Sequence, residues 1–184
     1  MLHLFLAEGF EEIEALTTLD ILRRCGLDVQ TVSITGKRLI RGAHDIPVMV
    51  DCLFRYSGVA DSECIILPGG MPGAKNLMAY DGLKKALVNH DRRGKLLAAI
   101  CAAPIVLGQI NILSGKRATC YPGFEEYLNG AFISTEMVEE DENVITGKGP
   151  AAAVPFAFTI ARHFVSDDVI KKVQDDMLLT GLAN

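Results

Sequence analysis

The sequence lacks the patterns that mark several large classes of protein. Its five cysteines include no C-x-x-C pair and follow no metal-ligand spacing, so we expect neither a metal site nor a disulfide framework. No apolar run is long enough to span a membrane, and acidic residues begin too early for a signal peptide. The net charge of -5 comes without a basic stripe, which argues against nucleic acid as a partner. Unpaired thiols indicate a reducing, cytoplasmic setting.

The chain also lacks any linker, repeat or low-complexity segment, so we expect residues 1–184 to form a single domain. Short apolar runs alternate with stretches of helical periodicity, which is typical of an α/β protein whose mostly parallel sheet is covered on both faces. The predicted strands and extended pieces are His3–Ala7, Val29–Ile34, Arg38–Ile40, Ile46–Val50, Cys64–Leu67, Leu96–Ile100, Ala118–Cys120, Ala131–Ile133, Met137–Glu140 and Asn143–Thr146. The predicted helices are Glu11–Cys25, Asp81–Asp91, Phe124–Leu128, Pro150–Phe164 and a last helix from Ser166 to about Thr180.

Four polar or glycine-rich segments directly follow predicted strands. They are Glu8–Glu14, Pro68–Gly73, Cys101–Pro104 and Cys120–Gly123. In open α/β sheets the active crevice lies outside the carboxyl ends of the strands. We therefore expect these segments to converge on one site.

Cys101 is the first candidate for chemistry. The apolar run Leu96–Ile100 predicts a buried strand, and Pro104 suits the first turn of a following helix. A cysteine at such a sharp turn has the setting of a nucleophile, and a helix N-terminus favours its thiolate form. The alternative is an ordinary buried thiol. Cys120, which ends another predicted strand, is a weaker candidate.

Two further segments could act on that thiol. The turn Pro68–Gly73 is rich in glycine, so its backbone N–H groups could approach a ligand as an oxyanion hole; the alternative is a tight turn that needs positive φ. Glu14 is flanked by apolar residues, and an inward carboxyl would have a raised pKa and could donate to a thiolate. The alternative is an exposed charge that complements the helix dipole. Among the histidines, only His44 is retained as a possible site residue.

Four stretches together resemble a known family. They are EGFEEIEAL (Glu8–Leu16), ILPGGMPGAKNL (Ile66–Leu77), AAICAAPIVLG (Ala98–Gly108) and TGKGPAAAVPFA (Thr146–Ala157). In order and spacing they are similar to the ThiJ/PfpI superfamily, and best to its DJ-1 branch. The similarity runs over almost the whole chain.

The resemblance implies a flavodoxin-like three-layer sandwich, of the kind found in class I glutamine amidotransferases, and a homodimer without a cofactor. It implies a strained nucleophile-elbow cysteine at Cys101, held against a protonated Glu14. Backbone N–H donors beside the thiol would come from Gly69, Gly70 and Ala102. Members of the superfamily are described as cysteine-dependent glyoxalases or deglycases, redox sensors and chaperones, and under older peptidase and thiazole-biosynthesis names.

Two departures from the family pattern bear on the reaction. The peptidase-like branch has a histidine directly after the cysteine, and Ala102 stands there, which removes the base of a Cys–His pair. Deglycase-type animal members have a histidine at the position of Tyr121 and an arginine near His44, and neither is present. Tyr121, His44 and Cys120 are therefore retained as possible substrate contacts, but the contacts of those members cannot be carried over whole.

Three functions follow from this site. Cys101 could attack a small-molecule carbonyl, such as a 2-oxoaldehyde or its glycation adduct, with Gly69 and Gly70 as oxyanion donors and Glu14 as proton carrier. The same thiol could instead serve as an oxidative-stress sensor by forming a sulfinate. A chaperone that Cys101 only regulates is the third possibility. The sequence does not distinguish the first two, because they use one site.

Overall fold

The computed structural model describes residues 1–179 of the chain. The strands are β1 (Leu2–Leu6), β2 (Val29–Ser33), β3 (Leu39–Arg41), β4 (Pro47–Met49), β5 (Cys52–Leu53), β6 (Cys64–Leu67), β7 (Leu96–Ile100), β8 (Arg117–Ala118), β9 (Phe132–Ile133), β10 (Val138–Asp141) and β11 (Val144–Gly147). The α-helices are α1 (Glu12–Arg24), α2 (Tyr56–Val59), α3 (Gly73–Ala79), α4 (Asp81–Arg92), α5 (Pro104–Gln109), α6 (Ala153–Ala161) and α7 (Asp167–Asp176). Two short 3₁₀ turns lie at Glu125–Tyr127 and Pro150–Ala152.

A seven-stranded sheet forms the centre, in the order β10-β11-β7-β6-β1-β2-β5. Its neighbouring strands are parallel, except that β10 and β11 form an antiparallel hairpin. The central strands β1, β6 and β7 read LHLFL, CIIL and LLAAI, and every one of their residues is buried. Strands without polar alternation must be covered on both faces. This confirms the expected flavodoxin-like α/β fold.

The strand order decides where the helices lie. The connection from β1 to β2 moves in one direction along the sheet, and the connection from β6 to β7 moves in the other. Because such crossovers are right-handed, α1 lies on one face and α3 and α4 lie on the opposite face. The contacts agree, since α1 packs against α6 whereas α3 packs against α4 and α5. The sheet therefore reverses direction between β1 and β6, which is where ligands bind in this architecture.

Several segments differ from the expectations. The predicted helix Pro150–Phe164 begins as a 3₁₀ turn and its α-helical part ends at Ala161. Helix α3 was not predicted, because glycine and proline at its start resemble a loop. The last helix begins after Ser166 as expected, but it ends at Asp176, before its predicted end at about Thr180, a residue that lies outside the described range. Within residues 1–179, no helix is both long enough and apolar enough to cross a membrane.

Candidate active site

Cys101 directly follows β7, at the carboxyl edge of the sheet. Its backbone φ is 63°, a left-handed conformation that costs a non-glycine residue roughly 1–3 kcal/mol. Two hydrogen bonds hold it there: its N–H donates to the carbonyl of Gly147 at 2.8 Å, and its carbonyl accepts from the N–H of Tyr121 at 2.9 Å. The side chain is only 8% exposed. The surrounding structure therefore imposes a strained turn on this one cysteine, as at a nucleophile elbow.

Glu14 reaches this thiol from the first turn of α1 and is fully buried. Its Oε2 accepts the N–H of Gly69 at 2.8 Å, across 55 residues of chain. The carboxyl also interacts with the Cys101 thiol. The second oxygen, Oε1, is buried without a hydrogen-bond partner among the described residues.

The ionisation of the Glu14 carboxyl and the ionisation of the Cys101 thiol depend on each other, because the two groups are in contact. Burial raises the pKa of Glu14 to about 7, and the charge of Glu11 adds to this, against the hydrogen bonds from Cys101 and Gly69. Burial is also the main reason that the pKa of Cys101 is raised, followed by the charge of Glu14. Two anions in contact are disfavoured, so near neutral pH the pair carries at most one negative charge.

The expectation that a helix N-terminus lowers the pKa of Cys101 is wrong in direction. Helix α5 has only six residues and begins three positions after the cysteine, whereas desolvation acts on the sulfur itself. Thiolate formation at this site must therefore come from close donors. The backbone N–H groups of Gly70 and Ala102 bond to the sulfur and lower its pKa.

Gly69 differs from the role expected for it. Its N–H is occupied by Glu14, so it positions the carboxyl and is not free to bind a substrate oxygen. Its lack of a side chain is needed, because a Cβ there would lie 2.7 Å from the Cβ of Cys101 and 2.9 Å from the nitrogen of Ala102. The donors left for a substrate oxyanion are those of Gly70 and Ala102.

His44 lies on the connection between β3 and β4 and is 66% exposed on its side chain. Its Nδ1 is 2.8 Å from Oε2 of Glu12, and its backbone N–H donates to Oε1 of the same carboxylate at 2.8 Å. Glu11 is the other neighbour, at 3.7 Å from the ring nitrogen. The structure thus places His44 as a clasp between the β3–β4 hairpin and the start of α1.

The ligand atoms of Glu11, Glu12 and His44 lie within 4.8 Å of one another, which is close enough to hold a metal ion. In this structure the Glu12 carboxylate is instead engaged by His44 and by the backbone N–H of Ile46. Those hydrogen bonds lower the pKa of Glu12 below its ordinary value, although burial alone would raise it. The cluster is therefore satisfied as an ion-paired clasp.

The clasp should make stability depend on pH. The hydrogen bond and charge of Glu12, with the charge of Glu11, raise the pKa of His44 above 6.5. Because the pKa of His44 is higher in the folded protein than in the unfolded chain, protonated His44 stabilises the fold. This stabilisation is complete below pH 6.5 and disappears as the pH rises through the folded-state pKa. Urea unfolding of wild type and His44→Gln between pH 5.5 and 8.5 measures this, and the stability difference should shrink with rising pH. A difference that stays constant would show that the His44 charge does not stabilise the fold.

Cys120 and Tyr121 lie beside the nucleophile turn. Cys120 is buried, and burial followed by the charge of Glu125 raises its pKa to about 11. Tyr121 is 46% exposed and its ring packs over Gly149. The sequence reasoning missed Met137 and the start of the segment after β11 as neighbours of this ring. The signal available was that β11 also ends at the carboxyl edge of the sheet.

Comparison with known proteins places this geometry in a family. The chain matches the DJ-1/PfpI family over residues 2–163. It is 34% identical over 177 residues to DJ-1 homolog B of Arabidopsis thaliana, a match that covers 94% of this chain but only 40% of that protein. It is 32% identical over 157 residues to the glutathione-independent glyoxalase DJR-1.2 of Caenorhabditis elegans, covering 83% and 82% of the two chains.

Solved structures agree. The oxidized form of Toxoplasma gondii DJ-1 superposes with a TM-score of 0.89 at 32% identity, over 96% of this chain and 97% of that one. Shared sequence and shared fold thus extend over nearly all of the described residues. The chain belongs to the DJ-1/PfpI family.

Proposed function

We propose that the protein is a cofactor-independent glyoxalase that converts 2-oxoaldehydes into 2-hydroxy acids, with Cys101 as the nucleophile. The observation that carries this proposal is the buried carboxyl of Glu14 in contact with the strained thiol, since its pKa of about 7 suits a group that gives and takes protons at neutral pH. The similarity to a glutathione-independent glyoxalase supports it. Glycation adducts of the same aldehydes are a second substrate class for the same nucleophile.

The reaction begins with an attack of the Cys101 sulfur on the aldehyde carbon. A carbon–sulfur bond forms, and the carbonyl π electrons move to oxygen. The N–H groups of Gly70 and Ala102, which lie at the sulfur, are the donors available to that oxyanion. The proton of Glu14 then neutralises it and yields a hemithioacetal.

Glu14 next acts as a base on the former aldehyde carbon. It removes that carbon's proton while the ketone oxygen takes up a proton, which gives an enediol. The neighbouring carbon then receives a proton and the hydroxyl on the sulfur-bearing carbon loses one, so that the ketone becomes an alcohol and the aldehyde carbon becomes a thioester. Water hydrolyses the thioester and frees the thiol. One carbon is oxidised while its neighbour is reduced, so the reaction needs no external oxidant or cofactor.

The decisive experiment measures lactate formed from methylglyoxal. We expect many molecules of lactate per protein from the wild type, and a loss of at least about 10³-fold in Cys101→Ser, as for other covalent nucleophiles. Cys52→Ser is the matched control, because Cys52 is a more exposed thiol on β5 at the edge of the sheet. Loss of methylglyoxal without lactate would indicate adduct formation alone and would refute the proposal.

Oxidation of Cys101 is a second candidate function. The related structure of Toxoplasma gondii DJ-1 is of an oxidized protein, which supports oxidation as a candidate function for this chain. In this chain a sulfinate at Cys101 could accept hydrogen bonds from Gly70, Ala102 and a protonated Glu14. A sensor needs no turnover, so the lactate measurement separates the two functions. The homodimer and the cytoplasmic location stay predictions.

A further inference from the structure

An apolar groove lies beside the nucleophile turn. It has a volume of about 250 Å³ and is lined by Tyr121, Pro122, Met137 and the segment 148–151. We call it the Tyr121 groove. None of its lining residues has a part in the bond-making steps above, so the reaction itself leaves the groove unexplained.

Both walls of the Tyr121 groove are attached directly to the nucleophile. On one side, the N–H of Tyr121 donates to the carbonyl of Cys101 at 2.9 Å. On the other, the N–H of Cys101 donates to the carbonyl of Gly147 at 2.8 Å, and the segment 148–151 continues from that residue. The groove therefore adjoins the backbone of the nucleophile turn on both sides.

The side chains of the groove are apolar and open to solvent. Tyr121 is 46% exposed and Met137 is 45% exposed. The charged member, Lys148, directs its Nζ to the carbonyl of Thr135 at 2.9 Å. Gly149 leaves room for the aromatic ring, since a Cβ there would lie 3.2 Å from Cδ2 of Tyr121. Exposed apolar side chains gathered around a concavity beside a reactive group mark a ligand contact.

We propose that the Tyr121 groove binds the apolar substituent of the substrate, so that the protein prefers 2-oxoaldehydes with an aryl or branched alkyl group over methylglyoxal. This inference rests on the proposed glyoxalase function and adds the substrate class. A methyl group is too small to cover the groove, whereas an aromatic ring would be removed from water against Tyr121 and Met137. A charged substituent would lose part of its hydration against these apolar side chains.

The test compares kcat/KM for phenylglyoxal and methylglyoxal. We expect the wild type to favour phenylglyoxal by at least about tenfold, the usual effect of burying a ring-sized apolar group. Met137→Ser and Tyr121→Ser should each lower that ratio several-fold. Met49→Ser is the matched control, because Met49 is also an exposed methionine but lies on β4. It should leave the ratio at the wild-type value.

A second measurement does not depend on turnover. The corresponding products, mandelate and lactate, are titrated into the Cys101→Ser protein, and mandelate should bind at least about tenfold more tightly. Conversion of both aldehydes to their hydroxy acids with equal kcat/KM, or a ratio that both groove variants leave unchanged, would overturn the groove assignment and leave the glyoxalase function standing. Absence of Cys101-dependent turnover for either aldehyde would refute the glyoxalase function instead. In that case, equal binding of mandelate and lactate would also refute the groove assignment.

Discussion

Replacing Glu14 by glutamine is expected to lower kcat for methylglyoxal by about 10²–10⁴-fold, the range typical of a lost general acid–base group. The amide has nearly the same size and can still accept the N–H of Gly69, which the carboxylate accepts at 2.8 Å. It can also donate to a thiolate. It cannot release and recover a proton near pH 7, so the attack on the aldehyde is retained while the proton transfers are lost.

The pH profile separates this role from a structural one. In the wild type, kcat/KM should rise as the pH increases through about 7, because the pair of Glu14 and Cys101 needs one negative charge. In Glu14→Gln the rise should move to higher pH, where the buried thiol ionises alone. Glu14→Asp keeps a carboxyl and should recover part of the turnover. A glutamine variant with the wild-type kcat and profile would reduce Glu14 to a packing residue.

The same substitution should increase stability in alkaline solution. Burial raises the pKa of Glu14 from 4.5 to about 7, so between these values the folded protein binds more protons than the unfolded chain. Stability therefore falls as the pH rises across that interval. Glutamine removes this penalty, so at pH 8 the urea midpoint of Glu14→Gln should equal or exceed that of the wild type. Lower turnover together with unchanged or higher stability is a combination that misfolding cannot produce.

Gly70→Ala is expected to have the largest effect on stability, a loss of about 3 kcal/mol or more in the free energy of unfolding. Gly70 has a φ of 85°, and an added Cβ would lie 2.3 Å from the nitrogen of Glu11 and 2.6 Å from the carbonyl oxygen of Gly9. Both are backbone atoms, so no side-chain rotation relieves the clash. The variant should also lose turnover, because the N–H of Gly70 bonds to the Cys101 sulfur.

Gly94→Ala provides the matched control for that variant. Gly94 has a φ of 64°, and an added Cβ would have no atom within 4 Å. It therefore carries the left-handed strain alone, about 1–2 kcal/mol. Urea unfolding of both variants measures the difference, which isolates the close approach of the Pro68–Gly73 turn to the backbone of residues 9–11, between β1 and α1. Equal losses would show that this approach is not required for the fold.

The local sequence was enough to predict the fold class and the centre of the site. Apolar runs in β6 and β7, and in β1 apart from His3, predict strands buried on both faces, because they show no polar alternation that would mark a face open to water. Such strands leave their loops at one edge, which brings Cys101 near the glycine-rich turn and the start of α1. The apolar neighbours of Glu14 were enough to single it out among the nearby glutamates, and the structure buries it fully.

Other features of the site were decided only by the tertiary structure, because they depend on burial and on contacts between segments that are distant in the sequence. The raised pKa of Cys101 comes from desolvation and from Glu14, 87 positions away in the numbering, so a local helix-terminus argument could not supply its direction. The commitment of the Gly69 N–H to Glu14 and the clasp of His44 on Glu12 are likewise long-range hydrogen bonds. The Tyr121 groove exists only because the end of β11 adjoins the end of β7. The hydrophobic pattern can be recognised from residues that are close in the sequence. Proton affinity and cavity shape depend instead on residues that are distant in the sequence and come into contact only in the fold.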